Sequence, residues 1–307
     1  MILTVGISPC LDVTVEVDAL NVGKTNIVKR KAVTLGGKAL NVAVGVKRLG
    51  GNVYTTGLRY DENGFMFENA LKKEGVPFSF VWNKGRVREN YKFIDRRSML
   101  TEVNDIGEAI DEAKQKEILD MVRTLSAHSD VTVLSGGLPR GVAPSYYADL
   151  VKSVNAHAIK IVDASGQRMF AALGVGVDLV KPNIDELETT IGRNVKSKED
   201  MLAGCYELLD RGAKRVLLSL GKQGAIITDG THNYHCKSIN VAVNSTVGAG
   251  DSMVAAAALQ LEQGASLPEI LRAGVAAGTA TVMTVGQNSF ERVKYDDVYT
   301  TLHVTEI

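Results

Sequence analysis

Short β-branched runs alternate with stretches of helical spacing along most of this chain. Ile2–Ile7, Val53–Leu58, Val131–Leu134, Ile159–Val162, Leu179–Val180 and Val216–Leu220 are continuous apolar runs, which predict strands buried on both faces. Between them, Asn41–Leu49, Phe65–Glu74, Asp111–Ala127, Pro144–Ala156 and Lys198–Arg211 predict helices. In Asp111–Ala127, for instance, Ile118, Met121, Val122 and Leu125 form one apolar stripe under a charged face. Strand and helix in alternation predict βαβ units, hence an α/β fold with a central, mostly parallel sheet covered by helices on both faces.

Two stretches break this rhythm. Asp12–Val17 followed by Asn26–Thr34 reads as strand, turn, strand, with Gly23 at the turn. Arg88–Ile94 is a third strand that alternates polar with apolar residues, and Glu102–Gly107 rather than a helix follows it. These pieces predict a small separate β-sheet lid, built from about 12–34 and 87–104, within a single domain spanning 1–307. Near residue 225 the pattern changes again. Ala225–Thr228 and Asn233–Ile239 predict a hairpin around Asp229-Gly230, followed by two Ala/Gly-rich helices, Ala249–Gln263 and Leu267–Val285.

The chain has 307 residues, with 35 Lys+Arg against 35 Asp+Glu and a formal net charge of zero. That balance argues against a nucleic-acid partner, which needs a basic excess or face, but leaves room for one small anionic ligand. Three scattered cysteines, Cys10, Cys205 and Cys236, are too few for a disulfide framework and suggest a reducing compartment. The N-terminal segment lacks a basic leader and soon meets Pro9, so it reads as a first core strand. Met253–Leu261, among the longest apolar runs, falls short of the roughly 18 residues of a membrane span. The expectation is a cytoplasmic protein without a membrane partner.

Of the 30 glycines, several cluster at strand ends: Gly36-Gly37, Gly136-Gly137, Gly221 with Gly224, and Gly248 with Gly250. Open α/β sheets bind ligands beyond the carboxyl ends of their strands, where glycine lets backbone N–H groups approach a phosphate. The sharpest case is Gly248-Ala249-Gly250, which runs straight into an Ala-rich helix and so forms an anion site by geometry and dipole together. Asp251 beside it has two local readings, a helix cap or a base that takes a proton from an attacking hydroxyl. Gly23-Lys24-Thr25 lacks the first glycine of a P-loop, because Asp18 stands there. Gly174-Val-Gly176 lacks the third glycine of a dinucleotide loop.

Thr246-Val-Gly-Ala-Gly-Asp-Ser252 resembles the C-terminal signature of the phosphofructokinase-B group of ribokinase-like carbohydrate kinases. Leu35-Gly-Gly-Lys-Ala-Leu-Asn-Val-Ala43 resembles its Gly-Gly signature, Val180-Lys-Pro-Asn-Ile-Asp-Glu-Leu-Glu188 its Asn-x-x-Glu motif, and Leu218-Ser-Leu-Gly-Lys-Gln-Gly224 its nucleotide loop. The motifs occur in family order across nearly the whole chain. Ser8-Pro-Cys-Leu-Asp12, Val87-Arg-Glu-Asn-Tyr-Lys92, Thr101-Glu-Val-Asn104 and Leu134-Ser-Gly-Gly-Leu-Pro139 look like the branch that acts on sugar phosphates, the 1-phosphofructokinases and tagatose-6-phosphate kinases. Three positions depart from that branch: Ser8 for Asn, Cys10 for Ala, and Ala39 for Gly.

The resemblance implies a ribokinase-like fold, ATP and a small-molecule sugar phosphate as substrates, Mg²⁺, and a homodimer through the lid. A monovalent cation is an open further requirement. Asp251 becomes the base, and the amides of Gly248, Ala249, Gly250 and Asp251 an anion hole. Asn183 and Glu186 would hold Mg²⁺ through water, the alternative being a helix cap with a dipole-favoured acid, and Lys181 would meet the nucleotide phosphates. Asp12, Gly36, Gly37, Asn41 and Ser135 would line the sugar site. Arg88, Asn90 and Lys92 alternate on one strand and so share a face, with Arg88 as the grip on the sugar's phosphate and Lys38 as its helper. Ser219, Gly221 and Gly224 would shape the ATP site, and Ala276–Gly278 would flank the adenine. His232-Asn-Tyr-His235-Cys236 lacks a second ligand cluster and reads as hairpin surface. The reaction implied is phosphorylation of fructose 1-phosphate to fructose 1,6-bisphosphate. Tagatose 6-phosphate and fructose 6-phosphate are alternative acceptors, and a non-catalytic sensor on the same fold is the alternative of another class.

Overall fold

The computed structural model of the chain describes residues 1–97, 99–284 and 289–307. In chain order its first half forms β1 (Ile2–Gly6), β2 (Cys10–Val17), β3 (Val28–Gly36), α1 (Lys38–Arg48), β4 (Val53–Tyr60), α2 (Phe65–Glu74), β5 (Phe78–Asn83), β6 (Arg88–Ile94), β7 (Leu100–Asn104), α3 (Glu112–Ser126) and β8 (Val131–Ser135). Then follow α4 (Tyr146–Ser153), β9 (Ile159–Asp163), α5 (Gln167–Leu173), β10 (Leu179–Val180), α6 (Ile184–Ile191), α7 (Lys198–Asp210) and β11 (Val216–Ser219). The last elements are β12 (Ala225–Thr228), β13 (Asn233–Cys236), α8 (Ala249–Glu262), α9 (Leu267–Val282), α10 (Arg292–Thr301) and β14 (Val304–Glu306).

The main sheet has the order β14-β13-β12-β11-β10-β9-β8-β1-β4-β5. From β5 to β11 every neighbouring pair is parallel, and β12, β13 and β14 add an antiparallel edge. The apolar runs are the central strands, as expected: all of β8 and β10 is buried, with helices over the sheet. The second sheet, β3-β2-β6-β7, is the small separate sheet expected from the sequence, called the lid for its expected role. Its β2 follows β1 after only three residues and its β3 runs directly into α1, so the lid is rooted beside the first parallel strand.

The helix expected to reach Val285 ends at Val282, and Val285 lies outside the described residues. β5, α5, α10 and β14 were not predicted. β5 pairs with β4 at the edge of the sheet although Phe78, Phe80, Val81 and Trp82 give it a strand-like composition, and α10 buries Tyr295 and Val298 alone among its residues, a weak apolar pattern. No described helix is long and apolar enough to cross a membrane.

Candidate active site

Register in the parallel sheet sets out one row of polar residues along its carboxyl edge. Ser135 ends β8 directly opposite Asp163 at the end of β9, while Val162 and Val216 both pair with Val180, the residue before Lys181. Ser219 ends β11 and bridges to Asn183. Asp163 is fully buried, and its charge is met from three sides. Lys38 Nζ lies 3.0 Å from Oδ1, Lys181 Nζ lies 3.6 Å from the same oxygen, and Ser135 Oγ donates to Oδ2 at 3.2 Å. Burial pushes the Asp163 carboxyl up, but Lys181, Lys38 and the Ser135 bond outweigh it and hold it below the usual carboxylate range.

Asp251 stands over this row, in the first turn of α8. It does not cap the helix: the N-cap is Gly248, held at φ 80°, and no side-chain cap bond is made. Instead Asn41 Nδ2 donates to Asp251 Oδ2 at 2.7 Å, the only side-chain bond Asp251 makes among the described residues. Helix packing explains this meeting. One turn further along both helices, a Cβ on Gly45 would lie 2.7 Å from Ala255 Cβ, so the missing side chain lets α1 and α8 come close enough to join Asn41 to Asp251. Burial, and then the charge of Asp163, push the Asp251 carboxyl up to about 6, against the pull of Lys38, Asn41 and Lys181. A carboxylate held there is ionised at neutral pH yet basic enough to accept a proton.

The amides at the start of α8 divide into used and free. Ala249 N–H donates to Thr246 O at 3.3 Å, so it turns the loop and is not offered to an anion as the sequence suggested. Among the described residues, the N–H groups of Gly248, Gly250 and Asp251 have no such acceptor outside the helix. Lys181 Nζ reaches this corner, 3.3 Å from where a Cβ on Gly250 would sit. Positive charge and free N–H groups therefore converge beside Asp251.

Asn183 and Glu186 form a reciprocal cap: Glu186 N–H donates to Asn183 Oδ1 at 2.7 Å and Asn183 N–H to Glu186 Oε2 at 3.0 Å. The other carboxylate oxygen, Glu186 Oε1, holds Lys38 Nζ at 3.0 Å. Lys38 thus sits between two carboxylates, and although burial disfavours its charge, Asp163, Glu186 and Asp251 keep it protonated. A cation already bridges these hard oxygens, so Asp163 and Glu186 fit Mg²⁺ bound largely through water, while Asn183 Oδ1 is engaged by the helix. Among the described residues no group of three or more His, Cys, Asp or Glu could hold a metal directly, the His232–Cys236 hairpin included.

Ser219, Gly221, Gly224 and Gly278 line a cavity of about 490 Å³ that Ala249, Gly250 and Asn183 also border. Gly224 is held at φ 89°, and a Cβ there would lie 1.9 Å from Cys236 O. Gly278 lets Met253 approach, its missing Cβ falling 2.9 Å from Met253 Cγ. Ala276, expected to flank the adenine with Gly278, is instead fully buried in the core, and Val275 and Thr279 face the cavity.

On the lid side, Asp12 meets Lys92 Nζ at 3.1 Å and Asn90 Nδ2 at 3.4 Å, so the alternating residues of β6 do share a face. Gly36 permits that approach: a Cβ on it would lie 2.5 Å from Cys10 Sγ and 3.0 Å from Asp12 Cγ. Gly37, at φ 104°, is the N-cap of α1 beside Pro9. Cys10 is buried and its thiol is pushed up to about 11, so it stays protonated at neutral pH. Arg88 donates to Asn90 Oδ1 at 3.0 Å. Lys38, expected beside Arg88, belongs instead to the Asp163–Glu186 pair, because those two carboxylates capture its ammonium. Asp163 itself went unmarked in the sequence; its position just past an apolar strand, at the sheet's ligand edge, was the available signal.

The model of the pfkB family carbohydrate kinases matches residues 1–292. The chain is 27% identical over 307 residues to 1-phosphofructokinase of Vibrio cholerae, covering 100% of this chain and 97% of that one. It is 32% identical over 309 residues to D-tagatose-1-phosphate kinase of Bacillus licheniformis, covering 100% of each chain. The crystal structure of phosphofructokinase-2 from Escherichia coli in complex with potassium superposes with a TM-score of 0.90 at 31% identity, covering 97% of this chain and 98% of that one. The family match spans nearly the whole chain and the fold superposes on a solved phosphofructokinase-2, so the chain belongs to the pfkB family of carbohydrate kinases.

Proposed function

We propose that this kinase transfers the γ-phosphoryl group of ATP to the free primary hydroxyl of a ketohexose phosphate, with fructose 1-phosphate as acceptor and fructose 1,6-bisphosphate as product. The single observation that carries the reading is Asp251: a buried carboxylate, raised to about 6, bonded by Asn41 and flanked by free amides. A sensor would gain nothing from an ionised carboxylate beside bound phosphates, whereas phosphoryl transfer needs a proton acceptor there. Relatives named for 1-phosphates and for 6-phosphates of ketohexoses match at similar identity, which supports a ketohexose phosphate as acceptor and makes tagatose 6-phosphate and fructose 6-phosphate the alternatives to test.

In this mechanism the nucleotide occupies the cavity bordered by Ser219, Gly221, Gly224 and Gly278, with its phosphates toward Gly250 and Lys181. The acceptor lies under the lid, with hydroxyls on the remaining lone pairs of Asp12. Asp251 takes the proton of the attacking hydroxyl as its oxygen bonds to the γ-phosphorus, and ADP leaves. The N–H groups of Gly248, Gly250 and Asp251 and the Lys181 ammonium balance charge on the transferring group. Glu186 and Asp163 would hold Mg²⁺ through water, and the ion would supply further neutralisation of the phosphates. Lid closure excludes water, the competing acceptor.

Exposed apolar residues on the lid support a homodimer. Val28, Val33 and Val103 are exposed cross-strand neighbours of a buried cluster of Val13, Val15 and Val17 with Tyr91 and Phe93. Sedimentation of the purified protein tests it.

The catalytic reading is tested by coupled ADP release with fructose 1-phosphate, tagatose 1-phosphate, tagatose 6-phosphate and fructose 6-phosphate, each with and without K⁺. The highest kcat/KM is expected for fructose 1-phosphate. Preference for a 6-phosphate would reassign the acceptor, and binding without turnover of any of them would establish the sensor.

A further inference from the structure

Most cations around the site are already committed to carboxylates. Lys38 holds Asp163 and Glu186, Lys181 holds Asp163, and Lys92 holds Asp12. Two guanidiniums are not: among the described residues neither Arg88 nor Arg168 has a carboxylate partner. Arg168 lies in the first turn of α5, half-buried, with Nη2 donating to Ser165 Oγ at 3.1 Å. Its Nη1 lies 3.5 Å from the point a Cβ on Gly137 would occupy, and the next nearest atom to that point is Ser8 Oγ, at 3.7 Å. Arg88 comes to the same residue from the lid, its Nη2 donating to Ser8 O at 3.4 Å, while its buried Nε has no partner. Two unneutralised guanidiniums on either flank of one serine repel each other, and each leaves donors unused. A visiting dianion with several acceptor oxygens satisfies both.

We propose that Arg168 is a specificity-determining residue that grips, together with Arg88, the phosphate group already carried by the acceptor. The seat is formed by Ser8 and the Gly136-Gly137 turn at the end of β8. One arginine belongs to the lid and the other to the core, so the bound phosphate ties the two together and selects phosphorylated over free ketohexoses. This inference rests on the reading above that the acceptor is a ketohexose phosphate.

The test compares wild type with Arg168→Ala, Arg168→Gln and Arg168→Lys in steady-state kinetics, varying acceptor and ATP separately. Loss of charge-assisted bonds to a phosphate is expected to raise KM for the acceptor phosphate about 10- to 100-fold in the Ala and Gln variants. KM for ATP should not move, and Lys should recover part of the loss. Inorganic phosphate should compete with the acceptor in wild type and lose that effect in Arg168→Gln. An unchanged acceptor KM, or an equal rise in KM for ATP, would overturn the role of Arg168 while leaving the ketohexose phosphate reading intact. Absence of wild-type turnover with every ketohexose phosphate would instead remove that reading, so the two failures are distinct.

Discussion

Asn41 donates its side-chain amide to Asp251 at 2.7 Å, although 210 residues separate the two in the chain. The bond favours the ionised carboxylate and so opposes the burial and the Asp163 charge that push Asp251 up to about 6. In wild type, kcat/KM for the acceptor is expected to fall as pH drops through about 6, because protonated Asp251 cannot take a proton. Asn41→Ala removes a charge-stabilising bond, so its acid limb should move to higher pH. A limb that stays in place in this variant, read from the full pH profile, would detach Asn41 from the base.

Asp251 is kept ionised at a cost to the fold. Its folded value lies above that of an unfolded aspartate, so its contribution to stability is fully present below about pH 4 and is lost as pH rises through about 6. Asp251→Asn, whose side chain carries no charge, should therefore be more stable than wild type at pH 8, by about 1–3 kcal/mol. The gain should vanish near pH 4, and thermal melting at the two pH values measures it.

Gly45 has a cost of its own in a helix interior, and alanine there would ordinarily add about 1 kcal/mol of stability. Here the added Cβ would lie 2.7 Å from Ala255 Cβ, and forcing α1 from α8 costs about 1–3 kcal/mol. Gly45→Ala is expected to be destabilising on balance and to lower kcat, by lengthening the Asn41–Asp251 bond one turn away. Denaturant melts and kcat together check this, and a more stable variant with full activity would contradict it.

Much of the frame was legible in the sequence, because buried parallel strands are continuous apolar runs and the lid breaks their rhythm. The glycine loops and Asp251 stood out for the same reason: each is chemically odd where it stands. Asp163 is different. Its meaning comes from register, which sets it beside Ser135 and one strand from Lys181, and no local spacing records that pairing. Lys38 read as an acceptor-phosphate ligand because its carboxylate partners are 125 and 148 residues away in sequence. Gly45 matters only because α8 lies against it, a contact with a residue far along the chain.

Ala39 departs from the glycine expected after Gly-Gly-Lys, and Gly6 accommodates it. A Cβ on Gly6 would lie 2.7 Å from Ala39 Cβ, so only one of the two positions can carry a methyl group. Gly6→Ala should cost about 1–3 kcal/mol by overpacking. Adding Ala39→Gly to it should restore most of that loss, although Ala39→Gly alone destabilises. A double-mutant cycle by urea melts gives the coupling, and strict additivity would contradict the contact.

The claim at the centre of this account is that Asp251 takes the proton from the acceptor hydroxyl. Single-turnover phosphoryl transfer to fructose 1-phosphate by Asp251→Asn, with ATP affinity measured in parallel, tests it most directly. The rate should be lower by about 10²–10⁴-fold with ATP affinity little changed. Transfer within a few-fold of wild type would contradict it.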